Sequence, residues 1–171
     1  VIGCNKGNDA IRWMEMWDKF QDKFWNQVSW NKQLAARYGK LKYVCNDGIV
    51  DSLDGSSQTN NPKRKSTDGT PTCFCVEPMP LTFKMLNKTS MALGYVPSTP
   101  YGSFNLLNAA VAADASPDQK IPFPIKNIGS ETSRIGGPGK KVMVQVTTAD
   151  AIADRFQFHT VDVLSIDVEG W

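Results

Sequence analysis

The chain closes on Val161-Asp-Val-Leu-Ser-Ile-Asp-Val-Glu-Gly-Trp171, an apolar run that reads as a strand carrying two carboxylates, Asp167 and Glu169, and a glycine to its C-terminal end. This run restricts the fold more than any other stretch. A strand so apolar is expected to be covered on both faces, as in parallel sheets flanked by helices. Open sheets of that kind keep their ligands at the C-terminal ends of their strands. The chain opens in the same way: Val1-Ile-Gly-Cys-Asn-Lys-Gly-Asn8 reads as the last residues of a buried strand breaking into a glycine-bracketed loop ahead of a helix. Two strand ends are therefore expected to face one crevice.

The 171 residues are enough for one domain with a real core, and 41% hydrophobic with 21% charged residues is ordinary for a globular chain. A net charge of +2, from 19 basic and 17 acidic residues, offers no electrostatic footprint for nucleic acid or an anionic membrane. No apolar stretch approaches the roughly 20 residues of a spanning helix. The chain begins inside one strand and ends one residue past another, so it reads as a fragment, and the absence of a leader says little about compartment. Four cysteines stand at Cys4, Cys45, Cys73 and Cys75. Cys73-Phe-Cys75 is too tight for an ordinary zinc pair and His159 is a single imidazole, so no metal site is expected. Cys45 and Cys73 bracket a polar loop and can be bridged across it in an oxidising compartment; the preferred reading leaves Cys73 and Cys75 as strand residues on one face.

Helical periodicity runs over residues 8–38, where Trp13, Met14, Trp17, Phe20, Phe24 and Val28 form an apolar stripe; a break near residues 25–30 is allowed for, and Gly39 supplies a stop. Residues 46–72 are polar and rich in turn formers, with Lys63-Arg64-Lys65 in their midst, and read as an exposed insertion. Thr72-Cys-Phe-Cys-Val-Glu-Pro78 is expected to be a buried strand, residues 81–93 a helix with Leu81, Met85, Leu86 and Leu93 on one side, and residues 104–113 a third strand. A Pro- and Gly-rich passage fills residues 121–139, followed by a strand over 141–147, a helix over 149–156 and the closing strand from about Val161. Asn87-Lys-Thr89 is a glycosylation sequon, read as a chance occurrence within a helix.

The loop Gly3-Cys-Asn-Lys-Gly7 suits a tight strand-to-helix turn with close backbone approach to a ligand, but it is neither Gly-x-Gly-x-x-Gly nor a phosphate-binding Gly-x-x-x-x-Gly-Lys-Ser/Thr loop. Glu77, ending the second strand, can accept hydrogen bonds from two vicinal ribose hydroxyls, although it follows the loop at far more than the roughly 20 positions typical of such sites. Taken in order, Val-Ile-Gly-Cys-Asn-Lys-Gly, Cys-Val-Glu-Pro at 75–78, Leu-Leu-Asn-Ala-Ala-Val at 106–111 and Ile-Asp-Val-Glu-Gly at 166–170 resemble the FkbM-type family of class I methyltransferases. Ile128-Gly-Ser-Glu-Thr-Ser133 and residues 142–154 are similar to that family too, so the resemblance leaves out mainly the insertion at about 40–72.

The resemblance implies a Rossmann-like, doubly wound, mostly parallel α/β sheet, with the fourth strand beside the first and the C-terminal strands lacking from this chain. It implies one partial methyltransferase domain over residues 1–171, using S-adenosylmethionine. In that likeness Gly3, Cys4, Asn5 and Gly7 wrap the methionine part of the cofactor, Glu77 holds its ribose, and Asn108 and Ala109 lie beside its adenine. Asp167 and Glu169 stand near the transferring methyl and the acceptor, with Asp167 as base or orienting group. Where the family usually has Asp ahead of the first Ile/Val-Gly pair, this chain has Val1. The implied activity is O-methylation of a small metabolite or glycan, with no nucleic-acid or membrane partner, in the cytoplasm or the secretory lumen. The alternative is a noncatalytic binding or scaffold domain that retains the fold.

Overall fold

Parallel pairing organises the chain. In the computed structural model, which describes residues 1–18, 24–39, 70–125 and 137–166, β1 (Thr72–Val76) pairs in parallel with β2 (Ser103–Leu107), Cys75 standing opposite Leu106. On the other side of β1 lie residues 1–3. The Val1 nitrogen donates to the Phe74 carbonyl at 2.7 Å, Val76 N–H donates to the Val1 carbonyl at 2.9 Å, and Gly3 N–H donates to the Val76 carbonyl at 3.0 Å. Ile2 also bridges Ile166 in parallel, its N–H donating to the Ser165 carbonyl at 2.8 Å. The lateral order is thus β2, β1, residues 1–3 and the segment ending at Ile166, all running the same way.

Beyond β2 the chain steps sideways at Asn108 and Ala109 into β3 (Ala110–Val111), which pairs in parallel with β5 (Lys141–Thr147). The third strand expected over 104–113 is therefore two short strands. Antiparallel to β5 runs β4 (Lys120–Pro124), giving the order β3-β5-β4. Sequence patterning misses β4 because Pro122 and Pro124 lie in it. On an edge strand a proline whose missing N–H faces outward removes no ladder bond.

Two layers of helix cover the strands. Cys73, Cys75 and Phe104 share a core with Ala10, Ile11 and Met14 of α1 (Asn8–Trp17), Trp30 and Leu34 of α2 (Gln27–Tyr38), and Met85 and Leu86 of α3 (Pro80–Leu93). Phe74, Val76 and Leu107 pack instead with Ile152 and Phe156 of α4 (Ala149–Phe156), so alternate strand residues serve opposite layers. Leu81, expected on the apolar side of α3, is exposed, and so is Val28 of α2.

The expected long first helix is two helices. Asp18 leaves the helical region at φ −65° and ψ 101°, and Asn26 caps α2, its Oδ1 accepting from Ser29 N–H at 2.8 Å. Between them Trp25 is fully buried, its Nε1–H donating to the Tyr101 carbonyl, while the Tyr95 hydroxyl donates to the Phe24 carbonyl and accepts from Asn26 N–H. These tertiary bonds supply what continued helix would have.

Cys4 and Cys75 form a disulfide with Cα atoms 5.5 Å apart, and Cys73 is a free, buried thiol. Cys73 is therefore not bridged, which corrects the alternative expectation; Cys73 and Cys75 do share one strand and one core, as the preferred reading has them, and Cys75 is bonded to Cys4 besides. Cys45, the 128–133 stretch and all but residues 70–72 of the insertion expected at about 40–72 lie outside the described residues. The bridge spans 71 positions, a closure worth about 4 kcal/mol through restriction of the unfolded chain. The closing run differs from expectation as well. Among the described residues of that run only Ile166 forms a β-bridge, and Val161, Leu164 and Ile166 are exposed. Among the described residues, no helix is long and apolar enough to cross a membrane.

Candidate functional site

The first loop follows a left-handed path. Gly3 and Gly7 have φ of 77° and 76°, and Asn5 between them has φ of 44°, a left-handed conformation that asparagine tolerates better than other non-glycine residues. The loop's surroundings are specific. Gly3 and Cys4 N–H both donate to the Val76 carbonyl, Gly7 N–H donates to the Cys4 carbonyl at 2.7 Å, and the fully buried Trp30 donates from Nε1 to the Lys6 carbonyl at 2.8 Å. Gly7 then starts α1 with no side-chain cap on the helix's first amides. A Cβ at Gly7 would stand 2.7 Å from Trp30 Cζ2, so the loop lies directly on that ring.

Glu77, one residue beyond β1, is the group that joins this loop to the second strand. Its Oε2 accepts from Asn5 N–H at 2.8 Å, its Oε1 accepts from Met79 N–H at 2.9 Å, and the side chain is only 6% exposed. Burial pushes the carboxyl up to about 7, against the two amide hydrogen bonds that pull it down. Each oxygen accepts one amide and keeps a lone pair for a further donor. Asn108 braces the same turn, its Nδ2 donating to the carbonyls of Glu77 at 2.8 Å and Pro78 at 3.1 Å, while Glu77 N–H donates to the Leu107 carbonyl. Ala109 is buried with Val76 and Ile152.

Gly3, Cys4, Asn5, Gly7, Glu77 and Asn108 thus come together at the C-terminal ends of residues 1–3, β1 and β2. Asp167 and Glu169 lie outside the described residues. Two groups here were not singled out in the sequence. Cys75 enters through its bond to Cys4, and nothing in the spacing of four cysteines signals that pairing. Asn8 opens α1, and its Oδ1, like that of Asn5, is buried with no hydrogen-bond partner among the described residues. A polar residue just after a strand-loop glycine is the one sequence cue for it. These two orphaned acceptors, one in the loop and one at the start of α1, carry a desolvation cost that a cationic or N–H donor on a ligand would relieve. Among the described residues no group of three or more His, Cys, Asp or Glu is arranged to hold a metal ion.

The family model for the methyltransferase FkbM domain matches residues 47–171, well over half of the chain. The chain belongs to the FkbM methyltransferase family. Membership supports a methyltransferase in general, and methyltransferases of this family generally use S-adenosylmethionine. The matched residues include Glu77, Asn108, Ala109, Asp167 and Glu169; the loop over residues 3–7 precedes them and is joined to them by the Asn5–Glu77 hydrogen bond and the Cys4–Cys75 bridge. No curated protein and no solved structure matches the chain at a significant level.

Proposed function

We propose that this FkbM-family domain is an S-adenosylmethionine-dependent O-methyltransferase acting on a hydroxyl or carboxyl of a small molecule or glycan. The observation that carries the reading is the junction of the glycine loop with Glu77: a left-handed loop running into α1, with unpartnered acceptors at Asn5 and Asn8, tied to a buried strand-end carboxylate. The parallel order of β2, β1, residues 1–3 and the segment at Ile166, covered by helices on two faces, supports a doubly wound sheet of the class I type.

The cofactor, when bound, supplies a methyl group already activated on a sulfonium. The residues present fit it. Asn5 and Asn8 offer acceptors to its ammonium, the uncapped first turn of α1 offers amides to its carboxylate, and Glu77 offers its remaining lone pairs to the ribose hydroxyls. Asn108 keeps the Glu77 turn rigid through its two carbonyl contacts. Asp167 is assigned to orient the acceptor oxygen or take its proton, with Glu169 beside it in sequence. A disulfide in the loop favours the secretory lumen over the cytoplasm as the working compartment.

Calorimetric titration of the full chain with S-adenosylhomocysteine, and separately with NAD, tests the reading. Binding of S-adenosylhomocysteine alone is expected; binding of NAD alone would sink it. A chain that binds the nucleoside but transfers no methyl to any hydroxyl or carboxyl acceptor would instead be a scaffold that kept the fold.

A further inference from the structure

We propose that the Cys4–Cys75 disulfide positions the cofactor loop: it holds residues 3–7 against the strand end that carries Glu77, so that affinity for the S-adenosyl ligand depends on whether this pair is oxidised. The inference rests on the S-adenosylmethionine reading. It begins from where the bridge lies. Cys4 precedes Asn5, whose N–H donates to Glu77 Oε2, and Cys75 precedes Glu77 by two residues. A covalent bond and a hydrogen bond therefore join the same two pieces of chain side by side. One piece is the loop assigned to the amino-acid part of the ligand, and the other bears the acid assigned to its ribose.

The hydrogen bond by itself is a weak tie near neutral pH, because burial brings the Glu77 carboxyl to about 7 and its charge is only partial there. The disulfide holds whatever the ionisation of Glu77. The loop needs holding, since its two glycines have the most conformational freedom to lose and Gly3, Asn5 and Gly7 all take left-handed φ. Pre-organising a loop in its bound shape raises affinity by removing the ordering cost from the binding step. Choice of partner is geometric: Cys73 shares the core with Cys75 two residues away on the same strand, yet it stays a thiol.

Closure of the bridge removes two protons and two electrons from the thiols, and a small-molecule disulfide such as oxidised glutathione accepts them as it becomes two thiols. Dithiothreitol reverses the step: its thiolate attacks one sulfur, the mixed disulfide is resolved by its second thiol as the reagent cyclises, and Cys4 and Cys75 each regain a proton. Because Cys4 is 6% and Cys75 0% exposed, attack requires the loop to open, and a bound ligand opposes that opening.

The test has three arms on the full chain. Peptide mapping without reduction should recover Cys4 linked to Cys75, with Cys73 alkylated only after denaturation; free Cys4 and Cys75 thiols in protein equilibrated with oxidised glutathione would overturn the proposal. Calorimetry with S-adenosylhomocysteine should show binding about tenfold weaker in the dithiothreitol-reduced chain and in a Cys4→Ser/Cys75→Ser variant, both still folded by circular dichroism, and unchanged in Cys73→Ser. A merely structural bridge would lower the melting temperature and leave affinity alone. The third arm needs no variant: in a glutathione redox buffer, saturating S-adenosylhomocysteine should shift the balance toward the disulfide by the same factor, as linkage requires. Equal affinity in the two redox states, with no shift in that balance, would overturn this inference alone. Absence of any S-adenosylhomocysteine binding to the oxidised chain would overturn the functional reading and the inference with it.

Discussion

Glu77 shows how one side chain ties stability to function. Its carboxyl titrates at about 7 in the folded chain against an ordinary 4.5, so between those pH values the folded state keeps a proton that the unfolded state has released. Its contribution is complete below pH 4.5 and is lost as pH rises through 7. Urea denaturation from pH 4.5 to 8 should therefore show stability falling, by up to about 3 kcal/mol from this residue, and Glu77→Gln should flatten that slope. Ligand binding runs the other way, because the charged carboxylate is the better acceptor for ribose hydroxyls. Affinity for S-adenosylhomocysteine should climb through pH 7 in the natural chain, and Glu77→Ala should weaken it by roughly 1.5 to 3 kcal/mol. At Asp167 the expectation is kinetic: Asp167→Asn should cut methyl transfer by roughly a hundredfold and leave S-adenosylhomocysteine binding near normal. Equal loss of binding would move Asp167 into the cofactor site, and undiminished turnover would pass its role to Glu169.

At the scale of elements, two glycines with nearly equal backbone angles separate conformational cost from packing cost. Gly94 ends α3 at φ 73° with nothing within 4 Å of where a methyl would stand, whereas Gly7 starts α1 at φ 76° with Trp30 Cζ2 at 2.7 Å and Leu86 Cδ2 at 3.0 Å. Trp30 cannot give way easily: it is fully buried, donates to the Lys6 carbonyl and stacks on Tyr95 at an interplanar angle of 7°. Gly94→Ala should cost about 1 kcal/mol, and Gly7→Ala about 2 to 4 kcal/mol with weakened ligand binding, both read from chemical denaturation. Equal costs would mean that α1 and α2 move apart freely, contrary to the shared core of Ala10, Ile11 and Met14 with Trp30 and Leu34. The break between these helices was legible only loosely, since no proline or glycine falls between Asn8 and Gly39; burial of Trp25 and the Tyr95 hydroxyl bonds decide it.

At the scale of the whole molecule, the proposed ligand spans groups far apart in sequence: residues 3–8 form the first loop and the start of α1, and Glu77 follows β1. A ligand held by both clamps the chain at a contact separated by some seventy positions, and it binds the unfolded chain at neither end. S-Adenosylhomocysteine at a hundredfold excess over its Kd should stabilise the fold by about 2.7 kcal/mol, seen as a rise in melting temperature that grows with ligand concentration. Loss of that rise in Glu77→Ala, with the unliganded melting temperature retained, would locate the clamp at the strand end. No rise in the natural chain would mean that the loop and Glu77 do not share a ligand.

Read alone, the sequence determined the elements whose apolar period matches their local propensity. The strand over 141–147 and the helix over 149–156 stand where the pattern put them, and β1 and α3 lie within two residues of expectation. It also singled out Gly3, Gly7 and Glu77, because glycine at a strand end and an acid after one are local signals, and Asn108 through the resemblance to the family the chain belongs to. Tertiary structure alone decided the rest. β4 exists because β5 offers it an edge where prolines are tolerated, and Cys4 meets Cys75 because parallel pairing lays residues 1–3 beside β1. Glu77 owes its raised pKa to burial under a loop more than seventy residues away in the chain. Each depends on contacts between distant segments, and local patterning carries no record of which distant segments meet.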